Sequence, residues 1–367
     1  MIAEKLRWAH AAGRKLRVRG AGQWFGAGRP VHSDETLSLA DHRGIVEYVP
    51  GDLTMTLRAG TTFEEIAMAT RREGQWLPLD PWGGDAGTIG ATISTATSGP
   101  FSLAMGLPRD LVLGMEFITG DGHEVRSGGR VVKNVAGFDL TRLLVGSWGT
   151  LGVITEVTVR LRARPEARET IAVSIAPTRT GLNELAARLR ALPFTPLASE
   201  LVSTQLAERL GFGAQTLLLV ALGGNLRAVK GQRAMIRDFG DCVMVDEGVW
   251  SALRSAERDP TGSWRWSQLP SQFGDTWTAA DTAARVVESF HLHGNPARGV
   301  VRVVSNAKGV AGSPLVRAAT AFKGTVNVEA LPTEVWPLMS PGAPNALSLG
   351  IRDKFDPARI LNDGILA

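Results

Sequence analysis

Three groups of residues in this chain have types and spacing that suit chemistry. Lys133 and Asn134 place one cation and one amide between apolar neighbours, and Gly146, Gly149 and Gly152 follow at every third position. Such a tract brings backbone close to a flat or anionic ligand, because glycine weakens either a helix or a strand by roughly 0.5–1 kcal/mol and needs another reason to be there. The plain alternative is a glycine-rich turn between two strands. A second group, His291 and His293 with Arg298 and Arg302 downstream and Arg265 between Trp264 and Trp266, offers general bases beside cations that would hold a carboxylate. On a strand the two histidines share a side, which suits a metal, but no third ligand stands out and none is expected. At a helix end beside Gly294-Asn295-Pro296 they would form a cap and turn.

The third group is a set of loops poor in large side chains. Gly20-Ala21-Gly22-Gln23-Trp24-Phe25-Gly26 follows a short strand at Lys15 to Arg19. The tract from Gly83 to Gly99 is dense in glycine, threonine and serine, and its low charge argues for an ordered segment rather than a tail. Backbone amides of such loops converge on phosphate oxygens as a nest, and hydroxyls add donors. Three of these loops in one half of the chain suit a single large ligand of dinucleotide size. The Rossmann fingerprint is not met, because Gly20, Gly22 and Gly26 have the wrong spacing and Arg29-Pro30 follows instead of a helix. The phosphate loop of nucleoside triphosphatases is absent as well.

The elements that must position these groups read as follows. Ile2 to Ala12 has helical spacing, Ile45 to Val49 and Thr54 to Ala59 read as strands, and Thr62 to Glu73 as a helix capped by Thr61 or Thr62. Leu111 to Thr119 and Glu124 to Arg126 form a strand pair around Asp121-Gly122, and Val153 to Arg162 alternates strictly. The texture changes at Pro165. Short strands (Ile171 to Ile175, Thr216 to Leu222, Val243 to Asp246, Gly299 to Val304) then alternate with helices (Leu182 to Leu192, Leu226 to Phe239, Ala279 to Phe290), an α+β pattern. Leu347 to Ala367 reads as a helix and turn that return to the first half.

Composition bounds the function. A length of 367 residues exceeds what one core usually supports, and 44% apolar with 21% charged residues is an ordinary globular balance. One cysteine, Cys242, excludes a disulfide framework and an iron–sulfur cluster carried by this chain alone, so electron transfer needs an organic cofactor. The longest apolar run, Leu217 to Leu222, is too short to cross a bilayer, so no integral membrane segment and a cytoplasmic location are expected. Lys5, Arg7, Arg14, Lys15, Arg17, Arg19 and Arg29 face only Glu4 in the first thirty residues. No nucleic-acid-binding motif accompanies that cluster, so it reads as a solvated basic face or as attraction for an anionic cofactor, and no nucleic-acid partner is expected.

The ordered set Arg19-Gly20-Ala21-Gly22, Pro81 with Thr88-Ile89-Gly90, Ser98-Gly99-Pro100, Arg109-Asp110-Leu111, Lys133-Asn134-Val135-Ala136-Gly137-Phe138-Asp139-Leu140, Gly149-Thr150-Leu151-Gly152-Val153-Ile154 and Phe355-Asp356-Pro357 resembles the FAD-binding oxidoreductases of the p-cresol methylhydroxylase and vanillyl-alcohol oxidase (PCMH/VAO) type. Within it the chain is most similar to the glycolate oxidase E-subunit branch. The resemblance covers Leu16 to Leu161 and resumes in the tail; the middle third carries little signature.

The resemblance implies a two-domain PCMH/VAO-type α+β fold: an FAD-binding domain over 1–165, an α+β cap, substrate or docking domain over 166–335, and a tail over 336–367 returning to the first. It implies that Arg19, Gly20, Ala21, Gly22, Gln23 and Trp24 wrap the pyrophosphate and that Pro81, Thr88, Ile89 and Gly90, with Thr95, Ser98 and Gly99, line the flavin and phosphates. Gly149, Gly152, Val153 and Ile154 would touch the ring system, and Lys133 and Asn134 its pyrimidine side unless they form a capped turn. Arg109 and Asp110 are either cofactor contacts or an ion pair at a strand start. Gln23 stands where covalently flavinylated relatives carry histidine, so non-covalent FAD is expected. Trp148 replaces a frequent glutamate, and Asn362-Asp363-Gly364 replaces Asn-Pro-Gly. The histidine-rich motif of catalytic D-lactate and 2-hydroxyglutarate relatives is missing, which leaves His291, His293, Arg265 and Arg302 as candidate catalytic residues.

The implied function is oxidation of a small 2-hydroxy acid to the 2-keto acid, within a complex containing a second FAD-containing subunit and an iron–sulfur subunit, in the cytoplasm or held at a membrane through that complex. A non-catalytic flavin-binding scaffold subunit is the alternative, and a stand-alone sugar or alcohol oxidase a third reading.

Overall fold

The structure, a computed structural model, describes residues 1–129, 139–285, 289–306, 312–339 and 345–366. Helix Ile2–Ala12 buries Ala3, Leu6 and Ala9 along one stripe and stops at Gly13, whose φ of 61° lets the next amides return to the last carbonyls of the helix. Strand Leu16–Arg19 then pairs in parallel with Glu35–Ser38, and the loop between them opens over the rest of the amino-terminal half. Beneath lies an antiparallel five-stranded sheet in the order Ile45–Val49, Thr54–Arg58, Val153–Arg160, Val112–Ile118, Glu124–Gly128. Val153, Val157, Val159 and Leu161 are fully buried, as the alternation predicts.

Helix Phe63–Arg71 is held at its start by a reciprocal pair: Glu65 N donates to Thr62 Oγ1 at 3.2 Å and Thr62 N donates to Glu65 Oε2 at 2.8 Å. Thr62 also bridges Thr88, which fixes where the next element begins. The small-residue tract of 83–99, expected as a loop, contains the short helix Ile89–Thr95. Ile89 and Ile93, four apart and fully buried, supply an apolar face that outweighs the poor propensity of Gly90.

The rest of the chain builds an eight-stranded antiparallel sheet, in the order Cys242–Val245, Ala167–Ser174, Leu217–Gly224, Ala198–Val202, Phe290–Asn295, Val300–Ser305, Gly262–Ser267, Thr325–Ala330. One face packs helices Arg179–Arg190, Leu226–Arg237 and Phe273–Ala284 over Leu218, Val220, Leu222, Trp264 and Trp266. The other face sets Leu217, Leu219 and Ala221 against Trp82 and Phe101 of the amino-terminal half. Burial on both faces explains the unbroken apolar run of Leu217 to Leu222.

The helix expected over Ala279 to Phe290 is instead Phe273–Ala284, followed by the separate strand Phe290–Asn295. His291 and His293 therefore sit inside a strand and not at a helix end, which corrects the cap reading. The tail comprises helix Ala346–Phe355 and a return segment: Leu16 N donates to Ile360 O at 2.7 Å, Asn362 N to Leu16 O at 3.0 Å, and Ile360 and Leu361 join the amino-terminal core. No helix among the described residues is long and apolar enough to cross a membrane.

Candidate functional site: a two-chambered cleft

The loop after Leu16–Arg19, the helix Ile89–Thr95 and the turn before Val153 meet around one cleft of about 980 Å³, counting the solvent at its mouth. Arg19, Gly20, Ala21, Gly22, Gln23 and Trp24 form one wall; Pro81, Thr88, Gly90 and Thr95 form the next; Gly149, Gly152 and Ile154 close the third. The tail adds Asn362, whose Oδ1 accepts from Val18 N at 2.8 Å and whose Nδ2 donates to Trp148 O at 2.7 Å. This one buried amide ties two walls together.

Other expected cofactor residues lie elsewhere. Ile89 and Val153 are fully buried in the core and support Gly90 and Ile154 from behind. Ser98 and Gly99 line a neighbouring chamber. Arg109 and Asp110 are outside the cleft lining, exposed and 3.9 Å apart, with Asp110 Oδ2 accepting from Leu107 N. Pro108 starts the helical turn that carries both, and there they form an exposed ion pair. Lys133 and Asn134 fall outside the described residues.

The cleft has the marks of a phosphate and ring cradle. A Cβ added at Gly20 would come 2.2 Å from Thr88 Oγ1, and one at Gly90 2.6 Å from Ala59 Cβ. At Gly152 it would stand 2.9 Å from Phe117 Cδ2, so the walls approach closely only because these side chains are missing. Four buried polar atoms of lining residues, Arg17 Nη1, Gln23 Oε1, Trp24 Nε1 and Thr88 Oγ1, have no partner among the described residues. Leaving such a group unsatisfied costs about 1–3 kcal/mol, so their convergence marks a place where a polar ligand supplies the partners. Arg17 and Arg19 stack on Phe25, at 4.9 and 5.8 Å from the ring centre, and neither has a carboxylate partner among the described residues. Burial pulls the Arg17 guanidinium below its usual range. Two cations free of protein carboxylates beside glycine amides fit a pyrophosphate.

A second chamber, of about 2040 Å³ including open solvent, shares Trp24, Trp82, Thr95, Thr97 and Trp148 with the first. Trp148 adopts a φ of 54°, held by its N donating to Ser94 O at 2.8 Å and by the Asn362 amide on its carbonyl. The far wall comes from the eight-stranded sheet and includes Glu200, Arg265, Arg298, Arg302 and Glu329. Arg298 Nη1 donates to Ser102 Oγ at 2.9 Å, and Arg29 Nη2 donates to Met339 O at 2.8 Å. Neither guanidinium has a carboxylate partner among the described residues. Arg265 lies 4.0 Å from Glu329, and burial draws its pKa down.

Behind this wall the strands bring together a buried network. His293 Nδ1 faces Glu200 Oε1 at 2.7 Å and its Nε2 faces Glu257 Oε1 at 2.7 Å. Arg302 grips Glu257 with Nε and Nη2, both at 2.7 Å, and also bonds Glu329. The ring of Trp82 covers His293 at 4.6 Å between centres. Burial pushes both glutamates toward protonation, but the Arg302 charge reverses this for Glu257, which is held down at about 2. In Glu200 burial wins over the His293 hydrogen bond, and its pKa lies above the carboxylate norm. Burial opposes a charge on His293, yet the two glutamates outweigh it and raise its pKa. His291 Nδ1 lies 3.0 Å from Arg209 Nη1 and its ring stacks at 6.5 Å on that of His293; burial first, then those two neighbours, drive its pKa down to about 3.

Of the four catalytic candidates, Arg265 and Arg302 line the second chamber, His293 lies one side chain behind it, and His291 lines neither chamber. Among the described residues no group of three or more histidines, cysteines or acids is placed to hold a metal ion. Glu200, Glu257, Glu329 and Trp82 were not among the sequence candidates. A carboxylate inside the apolar run Leu197 to Val202 is the signal that singles out Glu200.

Residues 1–128 match the family described as FAD binding domain. The amino-terminal part of this chain is an FAD binding domain. Its cofactor is FAD, and the cradle, the unpartnered buried polar atoms and the free guanidiniums all fit that molecule. The chain is 38% identical over 198 residues to glycolate oxidase subunit GlcE of Escherichia coli, covering 53% of this chain and 56% of that one. It is 36% identical over 154 residues to glycolate oxidase subunit GlcD of Bacillus subtilis, covering 42% and 33%. With the mitochondrial D-lactate dehydrogenase [cytochrome] of Arabidopsis thaliana the identity is 37% over 127 residues, 35% of this chain and 22% of that one. The chain thus spans little more than half the length of these relatives at most. In three dimensions an alkyldihydroxyacetonephosphate synthase superposes with a TM-score of 0.73 over 98% of this chain and 73% of that one, at 16% identity. The fold is therefore shared with that synthase, a mixed arrangement of helices and strands.

Proposed function

We propose that this chain is the FAD-binding subunit of an oxidoreductase complex that converts a small 2-hydroxy acid to the 2-keto acid. The observation that carries the reading is the second chamber: it adjoins the FAD cleft through Trp24, Trp82 and Trp148 and carries Arg29 and Arg298, which have no carboxylate partner among the described residues. Such guanidiniums bind a substrate carboxylate by charge and paired hydrogen bonds. Similarity to proteins named as glycolate oxidase subunits and D-lactate dehydrogenase supports the same class of substrate. When bound, FAD supplies the two-electron acceptor; the chain's own residues bind, orient and deprotonate.

The cofactor is held without a covalent bond, because Gln23 has no nucleophile to offer. Gly20 to Trp24 hold the pyrophosphate, with Arg17 and Arg19 balancing its charge, while Pro81, Thr88, Gly152 and Ile154 flank the ring system. The partners are a second FAD-containing subunit and an iron–sulfur subunit, since Cys242 alone cannot ligate a cluster that would pass electrons onward. The alternative, a flavin-holding scaffold without turnover, is favoured by Trp148, which stands at the junction of the two chambers where catalytic relatives carry an acid. Anaerobic addition of glycolate or D-lactate to the FAD-loaded chain, alone and with co-expressed partner chains, separates these readings. Bleaching of the flavin supports oxidation; an inert yellow protein that still assembles supports the scaffold.

A further inference from the structure

Three carboxylates, an imidazole and a guanidinium share the buried wall of the second chamber, and no binding role for them follows from the cofactor. Their arrangement is unequal. Glu257 is sealed behind the wall, fully buried, and gripped through both oxygens by Arg302. Glu200 is 3% exposed, yet it lines the chamber, and only its Oε1 is engaged, by His293. Its Oε2 has no partner among the described residues and is not among the polar atoms sealed from the chamber. One carboxylate is therefore locked in its ionised form while the other keeps a free oxygen on the cavity side.

Resting on the proposed oxidation, the geometry points to Glu200 as the catalytic base, with Oε2 taking the hydroxyl proton of the 2-hydroxy acid, and to His293 as the positioning residue that aims it. In the step the O–H bond breaks toward Glu200, the C–H bond breaks with its electron pair going to the flavin, and the carbon–oxygen double bond forms. The flavin is the oxidant and is reduced by two electrons; the proton on Glu200 leaves later through the open chamber.

The charges facing Glu200 fit this task. His293 comes from the adjacent strand, Glu257 from the turn after helix Gly248–Ser255, Arg302 from the next strand, and Asp80 from the loop that bears Trp82. Arg302 is already neutralised by Glu257 and Glu329. Burial outweighs the pull that His293 and Arg302 still exert on Glu200, and favours the protonated acid. Two acids on one histidine, pushed in opposite directions by their surroundings, is the pattern by which active sites divide a proton-accepting role from a fixed charge. The chamber that Glu200 lines also holds Arg29 and Arg298, which would hold the carboxylate of a 2-hydroxy acid.

The test compares the FAD-loaded full chain with Glu200→Gln, which keeps the shape and the hydrogen bond to His293. Anaerobic flavin reduction by glycolate or D-lactate should slow by about 10²–10⁴-fold, the size of a general-base contribution, and lose its acid limb against pH. The melting temperature should hold. Independently of turnover, calorimetry of pyruvate binding in two buffers of different ionisation enthalpy reads proton uptake: the wild type takes up protons as the anion settles beside Glu200, and Glu200→Gln binds pyruvate without uptake. A variant that reduces flavin at the wild-type rate and pH profile, or wild-type binding without proton uptake, overturns the assignment. A wild-type flavin that no 2-hydroxy acid bleaches sinks the oxidation reading instead, while the uptake comparison still decides whether Glu200 exchanges a proton with a bound anion.

Discussion

Gly90→Ala is the sharpest perturbation of the FAD cleft. Gly90 lines the cleft, its N donates to Ala59 O at 2.9 Å, and an added Cβ would stand 2.6 Å from Ala59 Cβ and 3.0 Å from Ala59 O. Carbon atoms pack at about 3.5–4.0 Å, so the helix Ile89–Thr95 must retreat from the end of strand Thr54–Arg58 by about 1 Å. Neither neighbour can swing aside, since one is a β-carbon and the other backbone. Overpacking of this kind costs about 1–3 kcal/mol. If that cost falls on the bound form, whose floor must be in register, FAD affinity drops by about 5- to 150-fold at 1.4 kcal/mol per decade. The assay is quenching of flavin fluorescence on titration with protein, alongside thermal melts with and without FAD. Gly231→Ala, on helix Leu226–Arg237 with nothing within 4 Å of its added carbon, is the control and should bind FAD normally, with a gain of about 0.5–1 kcal/mol in stability. Wild-type affinity in Gly90→Ala would refute the claim that the close approach of these two segments shapes the cofactor floor.

Further outcomes follow from the buried charges and the tail. Burial raises the Asp80 carboxyl from 3.8 to about 7 against the pull of Arg254, so its native-state proton stabilises the fold at low pH and that benefit fades as pH rises through 7. Asp80→Asn should therefore gain on the wild type between pH 4 and 7, by up to about 4 kcal/mol, in urea melts run across that range. Arg302→Met leaves Glu257 and Glu329 without their cation and should cost about 3–5 kcal/mol at neutral pH. Because Glu257 is depressed to about 2, the stability it gains from Arg302 is complete above its ordinary 4.5 and fades as pH falls toward 2; the gap between variant and wild type in acid melts should narrow over that window. Asn362→Ala strands Val18 N and Trp148 O and should lower stability by about 1–3 kcal/mol while weakening FAD binding, read by the same melts and titration.

Where local chemistry decided an element, it was legible in the sequence. Helix Ile2–Ala12 starts and ends where the apolar spacing places it, and Ile45–Val49 matches its strand residue for residue. The glycine loops at Gly20 and Gly149 converge on one cleft as their small side chains suggested. What failed to show was decided by tertiary burial. Ala198–Val202 is buried at every position, so it carries no alternation to reveal a strand. Phe290–Asn295 places two histidines and an asparagine in the interior, where polarity suggested a turn. The buried network was invisible for a different reason: Glu200 and Glu257 lie 93 and 36 residues from His293, and only the strand order of the sheet, for Glu200, and the packing of the turn after helix Gly248–Ser255, for Glu257, bring them together. Arg109 and Asp110 carry a family-like motif, and on the helical turn at Pro108 they form an exposed ion pair.

The central claim is that the loops at Gly20, Thr88 and Gly149 enclose one FAD. Its most direct measurement is to load the purified chain with FAD, remove the free cofactor by gel filtration, and record the visible absorbance together with the tryptophan emission, to which Trp24, Trp82 and Trp148 at the cleft contribute. The account predicts an equimolar yellow complex with quenched tryptophan emission. A folded chain that elutes colourless, with its tryptophan emission unchanged, contradicts it.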